Sequence, residues 1–103
     1  MPLDVAILDE DERPVVTRSI GVREHEALMN CARAVGAKYL ARMHDYYADA
    51  EIAVDELPAF QAELKSLLKG PGAAQEMIDL IEVLVSLSVR AMSERRKIVA
   101  IAD

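Results

Sequence analysis

The stretch LDVAILDEDERPVVTRSI, residues 3–20, decides what kind of fold this chain can have. Most of the chain beyond Ile20 carries helical spacing, so without strands here the molecule would be a helical bundle. Leu3, Val5 and Ile7 alternate with Asp4 and Ala6, which places them on one face of a period-2 strand. Asp9-Glu10-Asp11-Glu12-Arg13-Pro14 reads as a polar turn, and Val15–Ile20 is rich in β-branched residues. The segment therefore predicts a β-hairpin. Its acidic tip is a solvated turn that also discourages edge-to-edge pairing with another copy.

The hairpin needs a partner, because two strands alone are marginally stable. Lys97-Ile98-Val99-Ala100-Ile101-Ala102 reads as the closing strand. Between them lie three or four helices. Leu28, Cys31, Ala32 and Val35 share one face of a helix over 23–35, and Gly36 stands where a left-handed stop is expected. Cys31 reads as a small apolar core residue. His25, between Glu24 and Glu26, reads as a solvated helix residue. Residues 37–43 fit a short helix or an extended segment, with the helix favoured.

Asp55 is the expected N-cap of a helix over 56–69, with Pro58 in its first turn. Leu57, Phe60, Leu64, Leu67 and Leu68 supply its apolar stripe, and Glu63 is too close to Lys65 to pair with it along the helix. Gly70-Pro71-Gly72 breaks the chain. The helix expected over 73–96 is apolar on nearly every side, as in a central helix or a dimer surface. Arg95, Arg96 and Lys97 suit its negative end. The fold expected is α+β: one domain over residues 1–103, with a small antiparallel sheet, made of the N-terminal hairpin plus the C-terminal strand, packed against three to four helices.

Composition narrows the function classes. The chain has 103 residues, a net charge of −6 and a single cysteine. Residues 1–56 hold twelve acids and six bases, whereas residues 57–103 hold six of each. Nucleic acid is a poor partner for such a face. One cysteine permits neither an internal disulfide nor a paired-cysteine zinc site, and a reducing compartment fits best. The opening residues lack the basic flank and apolar length of a signal, and no run reaches the ~20 apolar residues of a membrane span. A cytoplasmic location and no membrane association are the expectation.

HDYYADAEIAVDEL, residues 44–57, is where a function would sit. It carries His44, Tyr46, Tyr47 and five acids with no base among them. A calcium loop counted from Asp45 puts Asp49 at position 5, Glu51 at 7 and Glu56 at 12. It fails at position 3, which is Tyr47, and at position 6, where Ala50 replaces the glycine of the sharp turn. One histidine with carboxylates is a thin set for zinc. No phosphate loop, nucleophile elbow or HExxH motif occurs, so a non-enzymatic reading without cofactor, metal or catalytic residues is favoured. The leading expectation is a contact patch of Asp45, Tyr46, Tyr47, Asp49 and Glu51 for a basic protein partner, with a homodimer through the 73–96 helix. The alternative is a small-molecule or metal-dependent site around His44 and the 45–56 acids. The bland reading is an acidic loop whose tyrosines pack on the core.

Three pieces of the chain carry a resemblance. These are Leu3-Asp4-Val5, the segment Leu40-Ala41-Arg42-Met43-His44-Asp45-Tyr46-Tyr47-Ala48-Asp49-Ala50-Glu51, and the apolar close from Ile98 to Asp103. Together they resemble a group of small uncharacterised bacterial proteins with an LxRxxDYYxDxE segment in mid-chain. That resemblance covers nearly the whole chain and implies no particular reaction. In size and acidity the chain is also loosely similar to immunity proteins of bacterial toxin systems, which implies an acidic binder of a basic partner.

Overall fold

The structure is a computed structural model and describes residues 3–46, 48–69 and 75–102. The expected fold class is observed, an antiparallel sheet with helices. Strand β1 (Leu3–Leu8) and strand β2 (Pro14–Ile20) form the hairpin, with Leu3 opposite Ile20 and Ile7 opposite Val16. The closing strand β4 (Ile98–Ala102) lies on the other side of β1, with Leu3 opposite Ala102 and Ile7 opposite Ile98. A further strand, β3 (Ala50–Ile52), which the sequence pattern did not reveal, pairs antiparallel with β4. The order across the sheet is β2-β1-β4-β3.

Period-2 alternation sets which residues enter the core. Leu3, Val5, Ile7, Ile98, Ala100 and Ile52 join one cluster with the helices, and all are fully buried. Helix α1 (Val22–Val35) contributes Leu28, Met29 and Ala32. The buried face is rotated slightly from the expected one: Met29 is buried, Cys31 is half-buried and Val35 is exposed. Helix α2 (Leu57–Leu68) buries Leu57, Phe60, Leu64 and Leu67, as its stripe required. Helix α3 (Gln75–Glu94) buries Met77, Leu80, Ile81, Leu84, Leu87 and Ala91. Its buried Ser88 turns its hydroxyl back to the Val85 carbonyl at 2.7 Å, which satisfies the group within the helix. The expected helix start at Ala73, the 70–72 breaker and Asp103 lie outside the described residues.

Local chemistry explains most boundaries, with two departures from expectation. Asp55 does not cap α2. It lies inside a short 3₁₀ turn, Val54–Glu56, and the Ala53 N–H is taken instead by the Glu56 carboxylate at 3.0 Å. The short helix expected in 37–43 is a 3₁₀ turn, Leu40–Met43. Its first N–H groups at Tyr39 and Leu40 donate to the Glu63 carboxylate of α2, at 3.1 and 3.3 Å. Glu63 therefore acts across the fold as a cap rather than along its own helix.

Helices α1 and α3 end the same way with different residues. At Gly36, φ is +70°; its N–H reaches the Arg33 carbonyl and the Ala37 N–H reaches the Ala32 carbonyl. After α3, Arg95 sits at φ +56°, with its N–H on the Met92 carbonyl and the Arg96 N–H on the Ala91 carbonyl. Both are left-handed stops closed by paired hydrogen bonds. A side chain in this region costs about 1 kcal/mol or more, and space around Gly36 is open, so any penalty there is one of backbone alone. Gly36→Ala should lower stability by about 1 kcal/mol, and Arg95→Gly should raise it by about 0.5–1 kcal/mol. Denaturant unfolding of the two variants beside the parent checks the opposite signs. A loss of stability in Arg95→Gly would contradict the assigned stop.

Candidate functional site

The acidic segment is built into the fold more deeply than its composition suggested. Its start is anchored from α1. His25 is buried rather than solvated, and its Nε2–H donates to the Met43 carbonyl at 2.6 Å. The His25 ring meets the Tyr46 ring edge-on, with centroids 5.0 Å apart. Tyr46 is half-buried, and its hydroxyl donates to the Ile20 carbonyl of β2 at 3.0 Å. These contacts hold residues 43–46 against the junction of β2 and α1. Tyr46 thus has its polar handle directed inward, and Tyr47 lies outside the described residues.

The carboxylates have partners from distant parts of the chain. Asp49 accepts the Ala102 N–H at 2.8 Å, prolonging the contact between β3 and β4 by one side chain. Glu51 faces Lys97 at 3.2 Å, and the same ammonium stands 4.0 Å from Glu12 in the hairpin turn. Glu56 receives both terminal nitrogens of Arg42, at 2.7 and 2.5 Å, while Arg42 also donates to the Glu51 carbonyl at 3.3 Å. Arg42 further lies over the Tyr39 ring, 5.0 Å from its centroid. No base lies within residues 44–57, but two bases outside it neutralise two of its acids. Sequence distance hid this, because Arg42–Glu56 spans fourteen positions and Lys97–Glu51 spans forty-six.

Two concavities separate the chemistry that the sequence had grouped together. One, of about 390 Å³, runs over β1, β4 and β3 and is lined by Leu8, Val99 and Ile101 with Glu12, Asp49 and Glu51 beside them. No described helix residue lines it. Ala6, Val99 and Ile101 have the parity opposite to the core-facing residues, so this is the sheet face turned away from the helices. His44 is not there. It lines a different concavity whose walls carry no acid among the described residues, and its Nδ1–H donates to the Ala41 carbonyl at 3.1 Å. Asp45 is exposed and lines neither. Of the expected patch, then, Asp49 and Glu51 are brought together, Asp45 and Tyr46 stand apart from them, and Glu12, Leu8, Val99 and Ile101 complete a surface that sequence reasoning missed. Among the described residues no group of three His, Cys, Asp or Glu side chains could hold a metal ion. No helix among them is long and apolar enough to cross a membrane.

No family model, curated protein or solved structure matches the chain. The functional reading therefore rests on the geometry.

Removing the Tyr46 hydroxyl leaves the Ile20 carbonyl without this donor, so Tyr46→Phe should cost about 1 kcal/mol, a fall in Tm of about 4–8 °C for a domain of this size. An unchanged melting curve would detach Tyr46 from β2. The Arg42–Glu56 pair makes stability depend on pH. The Arg42 guanidinium, followed by the Ala53 N–H, lowers the Glu56 carboxyl to about 2 from its ordinary 4.5. The folded state therefore favours the ionised form more than the unfolded chain does. That stabilisation is present above about pH 4.5 and is lost as pH falls toward about 2. Glu56→Gln should be less stable than the parent near neutral pH, and the gap should close on acidification. A gap that persists undiminished at pH 2 would contradict the pairing.

Proposed function

We propose that this protein is a non-enzymatic binding module that docks a basic protein segment on the sheet face that no described helix residue lines. The observation that carries this reading is an apolar floor, Leu8, Val99 and Ile101, set between the carboxylates of Glu12, Asp49 and Glu51. Apolar surface supplies contact energy once dehydrated, and the carboxylates select and steer a cationic partner. Lys97 marks where a cation settles on this face: its ammonium stands 3.2 Å from Glu51 and 4.0 Å from Glu12, and a partner's cation would compete with it there. The charge excess of residues 1–56 agrees with this. The location proposed is the cytoplasm, and nucleic acid is not among the proposed partners.

Self-association through α3 has less behind it. Much of that helix's apolar surface is used within the chain. Its exposed large apolar residues are Val83 and Val89, with Glu82, Ser86 and Arg90 exposed around them. Stable dimers bury a more continuous apolar area. The alternative of a metal-dependent site at His44 has no ligand cluster among the described residues.

The test is titration of the isotope-labelled protein with a Lys- and Arg-rich peptide. Amide shifts should map to Leu8, Glu12, Glu51, Val99 and Ile101. The triple variant Glu12→Gln, Asp49→Asn, Glu51→Gln keeps side-chain oxygens that can accept hydrogen bonds, and it should bind at least about tenfold more weakly. Added salt should weaken the parent's binding. Shifts located elsewhere, or equal affinity in the triple variant, would remove the proposal.

A further inference from the structure

The second concavity has the opposite chemistry. It measures about 540 Å³, within the size range of small-ligand sites. One wall is the end of α1, from Met29, Ala32, Arg33 and Gly36. The other is Ala37, Lys38, Ala41 and His44, around the 3₁₀ turn that succeeds α1. Met29, Ala32 and Ala37 are buried and give an apolar floor, while Arg33, Lys38 and His44 are exposed at its margin. In a chain of net charge −6, this hollow has three basic side chains and no acid among the described residues of its walls.

The margin groups are available for a ligand. Arg33 donates to the Asn30 side-chain oxygen, a neutral acceptor, and makes no ion pair among the described residues. Lys38 makes no ion pair among them; its ammonium rests 5.1 Å from the centre of the Tyr39 ring, and its charge reaches the Glu56 carboxylate only at longer range. His44 commits its Nδ1–H to Ala41, which leaves Nε2 for another partner. The negative end of α1 is muted here, because the Ala32 and Arg33 carbonyls already accept from Ala37 and Gly36. From the pairing of an apolar floor with a basic margin that has no acid among the described residues of its walls, we infer that this concavity binds an amphiphilic anion, a carboxylate with an aliphatic tail. The tail covers Met29, Ala32 and Ala37, and the head group meets Arg33 and Lys38. This site shares no lining residue with the sheet-face groove, so it stands independently of the proposed docking function.

The experiment titrates the labelled full chain with octanoate, with acetate (the same head without a tail) and with octyltrimethylammonium (the same tail with the opposite charge). Octanoate should give saturable amide shifts confined to residues 29–44, and neither control should. Arg33→Glu with Lys38→Glu should weaken octanoate at least about tenfold through charge. Ala41→Trp, at an exposed position, should weaken it as much by filling the hollow, and thermal melts confirm that each variant is folded. If one variant does not fold, the other decides. Equal binding of octyltrimethylammonium, undiminished binding in a folded variant, or no saturable shift in 29–44 would each overturn the inference.

Discussion

Strand β4 is the constraint on which the rest depends. It is a five-residue apolar strand that pairs on both sides, with β1 along Ile98–Ala102 and with β3 along Ile98–Ala100. A central strand must have both rows of backbone groups satisfied. The hairpin supplies one row, and the chain supplies the other from its acidic mid-chain segment. That requirement turns part of an apparent acidic loop into the edge of a sheet. β3 is only three residues long, so the Asp49 carboxylate extends its reach by taking the Ala102 N–H. A short, charged outermost strand is also a poor template for pairing with another chain.

The same placement sets the electrostatics. Bringing β3 beside β4 puts Glu51 next to Lys97, and the hairpin turn brings Glu12 to the same ammonium. Arg42 leaves the 3₁₀ turn to hold Glu56 at the entry to α2. These are surface pairs, and their worth lies more in fixing the path of residues 42–56 than in stability. The result, among the described residues, is a pair of hollows with different charge. The acidic one lies over the strands, and the basic one lies between α1 and the turn after it.

Much of this architecture was legible in the residues. Leu3, Val5 and Ile7 announced their strand by strict alternation. Leu57, Phe60, Leu64 and Leu67 announced α2 by spacing, and Gly36 marked a left-handed stop. β3 was not legible, because Ala50-Glu51-Ile52 is too short for a period to show and Ile52 is its single fully buried residue. His25 was misread because flanking glutamates say nothing about the face between them; its place on the buried side of α1, three before Leu28, was the signal available. Arg95 at positive φ runs against local preference, and only the need to turn from α3 into β4 places it there. The site was partly legible. Asp49 and Glu51 were named from composition, but Leu8, Glu12, Val99 and Ile101 come from three other parts of the chain, and only the pairing of β1, β3 and β4 brings them together.

The most direct test is amide hydrogen exchange at Ala102 and at Ala50–Ile52. If the acidic segment is the fourth strand, the Ala102 amide is protected in the parent, and Asp49→Ala exposes it while leaving the β1 amides slow. If Ala102 exchanges at the rate of an open chain in the parent, or if Asp49→Ala leaves its protection unchanged, the segment is not joined to β4. The sheet face proposed for docking would then lack its acidic wall.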